Sequence, residues 1–334
     1  TLTDRFDGRR ILILGSLLNA AGAVGFGLLA DGMVSAMLLW ALTGIGFAGS
    51  YMPGLKVLTD RLDPGESSRS LTIYTSAFSF GVGLSFLACQ LIAEAFGWRW
   101  AFILTGLPPL IMTFVAWSLK PVRPAPRGGP LLDLAPALRN RAALGYSFAY
   151  GWHCFELYGV RTWLVAFWGF VAASGGAPLG TVVVSALFTA LAMPASILGN
   201  ELALKLGRHR AITLVMLLSA AVGLAIGFTA GLSPWLTLML MVVYAFTVPG
   251  DSGALTSGMA AAADPHYRGA SMAVHSTVGF AFTAAGGWVI GVALDMAGGV
   301  TQPGAWTLAY AVMSAGAALG PVCLWWSRRS GASS

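Results

Sequence analysis

Residues 3–10 read Thr-Asp-Arg-Phe-Asp-Gly-Arg-Arg, and residues 11–30 read ILILGSLLNAAGAVGFGLLA. Five charges in eight residues give way to twenty residues with none. At 1.5 Å of rise per residue, about twenty helical residues span about 30 Å, the hydrocarbon thickness of a bilayer. The same alternation of charged knot and apolar run recurs along all 334 residues. Charged residues make up only 10% of the chain and apolar ones 57%, against about 25% charged in soluble domains. Mean hydropathy is +0.75. A soluble pair of domains is excluded; the composition is that of an all-α polytopic membrane protein.

Charge-free stretches, divided where Gly/Ser/Pro clusters supply turn chemistry, give spans near 11–30, 33–56, 71–94, 101–119, 142–171, 179–202, 211–230, 235–258, 270–294 and 305–327. The net charge of +6 is no nucleic-acid footprint, because the basic residues sit in short loops between spans. Seventeen of the nineteen Lys and Arg fall on one side of the predicted topology; Arg99 lies opposite and Arg161 lies within a span. That bias predicts a cytoplasmic location for the basic side and for both ends of the chain, in the plasma (inner) membrane. Cys89, Cys154 and Cys323 lie in apolar runs without metal or disulfide spacing, so no metal and no cofactor is expected.

Residues 120–141 begin Lys-Pro-Val-Arg-Pro-Ala-Pro-Arg-Gly-Gly-Pro and continue into a short amphipathic piece, Leu131 to Leu138. So proline-rich a segment is a linker. It separates a partial N-terminal bundle of four spans (1–119) from a C-terminal six-helix bundle (142–327) and its tail (328–334). The halves resemble each other at an offset near 200. Gly8-Arg9-Arg10 matches Gly207-Arg208-His209-Arg210, Asp63-Pro64 with Arg69 matches Asp264-Pro265 with Arg268, and Trp100 matches Trp306. Spans one to four thus pair with seven to ten, and the simplest completion places two further helices ahead of Thr1.

The stretch Asp4-Arg5-Phe6-Asp7-Gly8-Arg9-Arg10 resembles the G-x-x-x-D-R-x-G-R-R loop of the major facilitator superfamily, with one extra residue between Arg5 and Gly8. A second copy runs through Gly199-Asn200-Glu201, Lys205, Gly207 and Arg208, with Glu201 one turn ahead of the usual aspartate position. The resemblance covers the whole chain. It implies a two-bundle fold, here with ten of the usual twelve transmembrane helices, and alternating access by rigid-body rocking. It also implies a gating role for the two loops. Physically, Asp4 can accept hydrogen bonds at a helix end while Arg5, Arg9 and Arg10 face phosphates; plain topology marking is the other reading.

Ionisable residues inside spans are costly and need a reason. Span five carries His153, Glu156 and Arg161, with His153 near the midplane and Glu156 three residues on, on the same face. Arg161 and Glu156, five apart, are poor same-helix partners. Span eight carries Asp251 within Pro249-Gly250-Asp251-Ser252-Gly253, a predicted helix break, and span nine carries His275. The resemblance makes spans five and eight cavity-lining helices. A buried carboxylate binds its proton more tightly and a neighbouring histidine can share it, so this set suits proton coupling. Arg161 suits an anionic substrate. The competing reading is interhelical pairing. Tyr51 beside Pro53, and Tyr158 with Trp152, Trp163 and Trp168, are candidate pocket residues; several suit an aromatic belt equally. Glycines 44–54 and the Ala77, Gly81, Ser85 ladder read as close-packing surfaces.

Enzyme chemistry finds no support. His153-x-x-Glu156 lacks the second histidine of a zinc helix, no G-x-S-x-G turn occurs, and Asp251-Ser252-Gly253 has no second aspartate motif. The sequence therefore reads as a secondary transporter, a permease or symporter taking up a small anion with protons, loosely similar to cyanate- and nitrate-type permeases. Its expected partners are a small-molecule substrate, protons and the lipid bilayer, with no nucleic acid. Export of a hydrophobic or drug-like compound by proton antiport is the alternative, and a non-transporting membrane sensor is another.

Overall fold

A computed structural model describes residues 2–62, 67–122 and 133–328. Asp63-Pro64, Arg123, Arg127, the start of the amphipathic piece at Leu131 and the tail from Arg329 lie outside the described residues. The early helices are α1 (Gly8–Leu29), α2 (Met33–Ala48), α3 (Tyr51–Thr59), α4 (Ser67–Phe96), α5 (Trp98–Thr105) and α6 (Pro108–Ser118). A five-residue α7 (Ala135–Arg139) precedes α8 (Arg141–Gly175), α9 (Thr181–Leu206) and α10 (Arg208–Thr229). Then come α11 (Pro234–Thr247), α12 (Ser252–Ala262), α13 (Arg268–Met296) and α14 (Pro303–Arg328). All described elements are helical, and nine helical segments among the described residues are long and apolar enough to cross a membrane.

The remaining expected span, 142–171, is α8, 35 residues long. At about 52 Å it exceeds the bilayer core; His153, Glu156 and Arg161 make it less apolar than the nine. Three expected spans are broken helices. Gly49-Ser50 separates α2 from α3, and Gly106-Leu107 separates α5 from α6. The predicted break in span eight is a 3₁₀ turn, Val248–Asp251, between α11 and α12. Pro249 lacks an amide hydrogen, so the α ladder cannot pass through it. Gly207 joins α9 to α10 in one residue at φ +85°, a backbone that glycine adopts without strain.

The chain forms two compact units. One comprises residues 1–64, 81–137 and 264–273; the other comprises 65–80, 138–263 and 274–334. Helices α4 and α13 are each shared, dividing after Phe80 and after Ala273.

In the first unit, α1 and α2 meet backbone to backbone. A methyl group on Gly22 would come within 2.6 Å of the Thr43 nitrogen, and one on Gly49 within 2.9 Å of Gly15 Cα. That fits the close-packing reading for Gly46 and Gly49, whereas Gly44 is exposed and a methyl on it would meet nothing within 4 Å. The Arg99 guanidinium covers the end of α1, donating to the carbonyls of Gly27 and Ala30 at 3.1 and 2.9 Å. A cation there offsets the negative end of the helix dipole. The small-residue ladder of α4 is a correction: Ala77, Gly81 and Ser85 are exposed, and a methyl on Gly81 would meet nothing within 4 Å. The buried face of α4 is instead Leu71, Thr72, Thr75 and Ser76.

The core of the second unit is aromatic. Trp168, Phe167, Trp306, Tyr310 and Tyr244 are fully buried together. In a bilayer such packing is stabilised by van der Waals contact rather than by escape from water. Trp168 is thus a core residue, its indole N–H satisfied by the Leu179 carbonyl at 2.8 Å, and belongs to neither pocket nor belt. Gly199 of α9 lies directly against the Gly250 carbonyl of the 3₁₀ turn, with no room for a side chain at position 199.

Candidate functional site

The ionisable residues predicted from sequence gather in the second unit, and α8 supplies three of them. Asp251 ends the 3₁₀ turn and stands at the N-cap of α12 without capping it by its side chain. Ser196 of α9 serves α12 instead, accepting from the Gly253 amide at 3.2 Å. The Asp251 carboxylate is thereby free to reach across to α8, where its Oδ1 lies 2.7 Å from His153 Nδ1. The approach is off the line an N–H···O bond requires, and neither atom has a hydrogen-bond partner among the described residues. Both side chains are at most 3% exposed.

Glu156 has its own partners. Ser219 of α10 and Tyr244 of α11 both donate to its Oε1 at 2.9 Å, and the residue is 2% exposed. His275 of α13 sits between two hydroxyls: Thr256 Oγ1 is 3.4 Å from Nε2 and Ser147 Oγ is 3.3 Å from Nδ1. Its ring stacks on Tyr150 at 4.1 Å, and Tyr150 stacks on His153 at 5.6 Å. Asp251, His153 and His275 are buried, and the half-buried Tyr150 ring links the two histidines into one line.

Arg161 lies over the Tyr158 ring, 5.5 Å from its centroid. One terminal nitrogen donates to Ser79 Oγ at 3.2 Å. Nε and Nη1 are buried and have no hydrogen-bond partner among the described residues. Tyr51 belongs to the other unit, stacked on Phe47 at 5.7 Å. Sequence reasoning missed Ser219, Tyr244, Thr256, Ser147, Tyr150 and Ser79. Hydroxyls are ordinary in membrane helices, so nothing in their pattern distinguishes them.

The two copies of the charged loop engage different helices. Asp4, 5% exposed, accepts from the backbone amides of Gly269 and Ala270 at 2.7 and 2.9 Å, at the start of α13. In the second copy, Glu201 accepts both prongs of Arg69, at 2.6 and 2.9 Å, at the start of α4. Asn200 Oδ1 accepts from Ser68 and Ser257, and Arg208 donates to Ser68. Arg9 has a partner within its own unit. It donates to the Leu119 carbonyl at 2.8 Å, just past the end of α6. Gly8 starts α1, Arg5 is half-buried, and Arg10, Lys205 and Gly207 are exposed.

The sequence profile of the Major Facilitator Superfamily matches residues 1–287. The chain belongs to that superfamily. It is accordingly a multi-pass membrane protein of a transporter superfamily. Among curated relatives, it is 31% identical over 119 residues to solute carrier family 22 member 1 of Oryctolagus cuniculus, covering 35% of this chain and 21% of that protein. It is 30% identical over 159 residues to human monocarboxylate transporter 11, covering 45% of this chain and 32% of that protein. The matches thus span a fifth to a third of these relatives' lengths. The fold is shared with two structures of the E. coli fucose transporter FucP. A variant of the fucose:proton symporter gives a TM-score of 0.69 at 13% identity, covering 96% of this chain and 85% of that one. FucP in the outward conformation gives 0.64 at 16%, covering 96% and 84%.

Proposed function

We propose that this facilitator-superfamily transporter takes up a small organic anion together with protons. The observation that carries the reading is Arg161, a guanidinium within the membrane span, two of whose buried nitrogens have no hydrogen-bond partner among the described residues. A buried cation without a counter-ion is costly; an anionic substrate supplies one. Arg161 binds the anion, Tyr158 lines its approach, and Ser79 holds one terminal nitrogen in place. His153 and Asp251 share the coupling proton, with His275 continuing the line through Tyr150 and Glu156 offering a second acidic site. The printed name of one relative, a monocarboxylate transporter, points to the same chemical class. The charged loops act as cytoplasmic gates, Asp4 and Glu201 holding α13 and α4 in one state, with both termini of the chain in the cytoplasm of a plasma membrane.

The test is uptake of labelled small monocarboxylates into proteoliposomes with and without an imposed pH gradient. Arg161→Gln is expected to abolish saturable uptake, and Asp251→Asn to uncouple it from the gradient while binding persists. Uptake by the wild type that ignores the gradient overturns the symport. Full activity in Arg161→Gln overturns the anion assignment.

A further inference from the structure

Three helix ends of the second unit converge at one place. Asn140 caps α8, its Oδ1 accepting from the Ala143 amide at 3.0 Å, and Arg141 follows. Gly145 of α8 is so close to α14 that an added methyl would meet Ser327, which brings the start of α8 beside Trp326 and Arg328. The Arg141 guanidinium lies 4.5 Å from the centre of the Trp326 ring. The start of α10 closes the group: His209 packs its ring 5.3 Å from Tyr146, with Nδ1 3.5 Å from the tyrosine hydroxyl. The charged side chains acting on both Tyr146 and His209 are Arg208 and Arg328.

The arrangement is one-signed. Ion pairs among the described residues join Arg9 to Asp7, Lys56 to Asp60, Arg69 to Glu201 and His153 to Asp251. Arg141, Arg208, His209 and Arg328 have no carboxylate partner in that set. The Nε atoms of Arg141 and Arg208 are buried without a hydrogen-bond partner among the described residues. Two of the three helix ends are N-termini, which add positive potential of their own. Trp326, 39% exposed, supplies an amphipathic ring of the kind that sits at headgroup level.

We propose that this junction of α8, α10 and α14 binds the phosphate of an anionic phospholipid. The protein spans the membrane, so headgroups reach a helix-end site of this kind from the adjoining leaflet, and arginines without a carboxylate partner are phosphate donors. The site is separate from Arg161 and does not depend on the transport reading.

The test uses the full-length protein in phosphatidylcholine micelles, titrated with phosphatidylglycerol. Native mass spectrometry counts retained lipid, and thermal unfolding reports the effect on the fold. Phosphatidylglycerol is expected to be retained and to raise the unfolding midpoint, while added phosphatidylcholine, inorganic phosphate and glycerol 3-phosphate leave it unchanged. Arg328→Gln and Arg141→Gln are each expected to weaken retention by about fivefold. Arg328→Lys keeps most of it, and Lys120→Gln, a matched loss of charge elsewhere, keeps all of it. The Arg328 side chain is exposed, so its variants fold even where Arg141→Gln does not. Equal retention of phosphatidylcholine, a full shift from free phosphate, or wild-type retention by Arg328→Gln overturns the proposal.

Discussion

Helices α4 and α13 open with related sequences, Asp63-Pro64 to Arg69 and Asp264-Pro265 to Arg268, yet their first turns are held by different forces. At α13, a buried carboxylate from a distant loop takes two backbone amides that the helix itself leaves unsatisfied. At α4, the hold is between side chains, with Arg69 68% and Glu201 33% exposed. Water and salt compete with the second kind of contact and scarcely reach the first. A repeat can therefore keep its layout while one copy becomes the strong attachment and the other the weak one.

The sharpest way to break this contrast is Asp4→Ala. It leaves two buried amides without acceptors, a loss of about 2–4 kcal/mol, seen as a lower unfolding midpoint and altered uptake. Wild-type behaviour in both measurements would remove the contrast altogether. Gly269→Ala reaches the same contact from the other side, since its methyl would lie 2.6 Å from Asp4 Oδ1. Its effect approaches that of Asp4→Ala, and the double substitution costs little more than either alone. Additive losses would show that the two residues act independently. Glu201→Gln comes next, with a small loss that the exchange Arg69→Glu with Glu201→Arg reverses. The smallest effect is that of salt. Raising it from about 0.1 M to about 1 M shortens the screening length from about 10 Å to about 3 Å, which erases the Glu201→Gln difference and spares that of Asp4→Ala. An Asp4→Ala defect that vanished in salt would place that contact in water.

The fold was legible because the bilayer forces it. Spans and the break at Pro249-Gly250 follow from length and turn chemistry, the close packing at Gly46 and Gly49 from small-residue spacing, and the family resemblance from the charged loop at residues 4–10 and its second copy. The site was legible in its charges, since His153, Glu156, Arg161 and Asp251 are conspicuous in apolar surroundings. Their pairing was not. Glu156 is three residues from His153, which suggested a joint site, whereas its donors come from α10 and α11 through two hydroxyls. Helical spacing says which side of α8 a residue faces, and only tertiary packing says which neighbour waits there. Arg9 shows the same limit: its carbonyl partners at Trp117 and Leu119 lie more than 100 residues away in sequence. The α4 ladder misled because small residues permit close approach without requiring it.

Gly199, pressed against the Gly250 carbonyl, sets a mechanical tolerance. The residue after Gly250 is Asp251, so whatever stands at position 199 acts as a shim beneath the carboxylate. With hydrogen as the shim, the gap to His153 Nδ1 closes to 2.7 Å. A single methyl there would displace the turn and change that gap. A residue with no chemistry of its own thus gauges the reach of the two that have it.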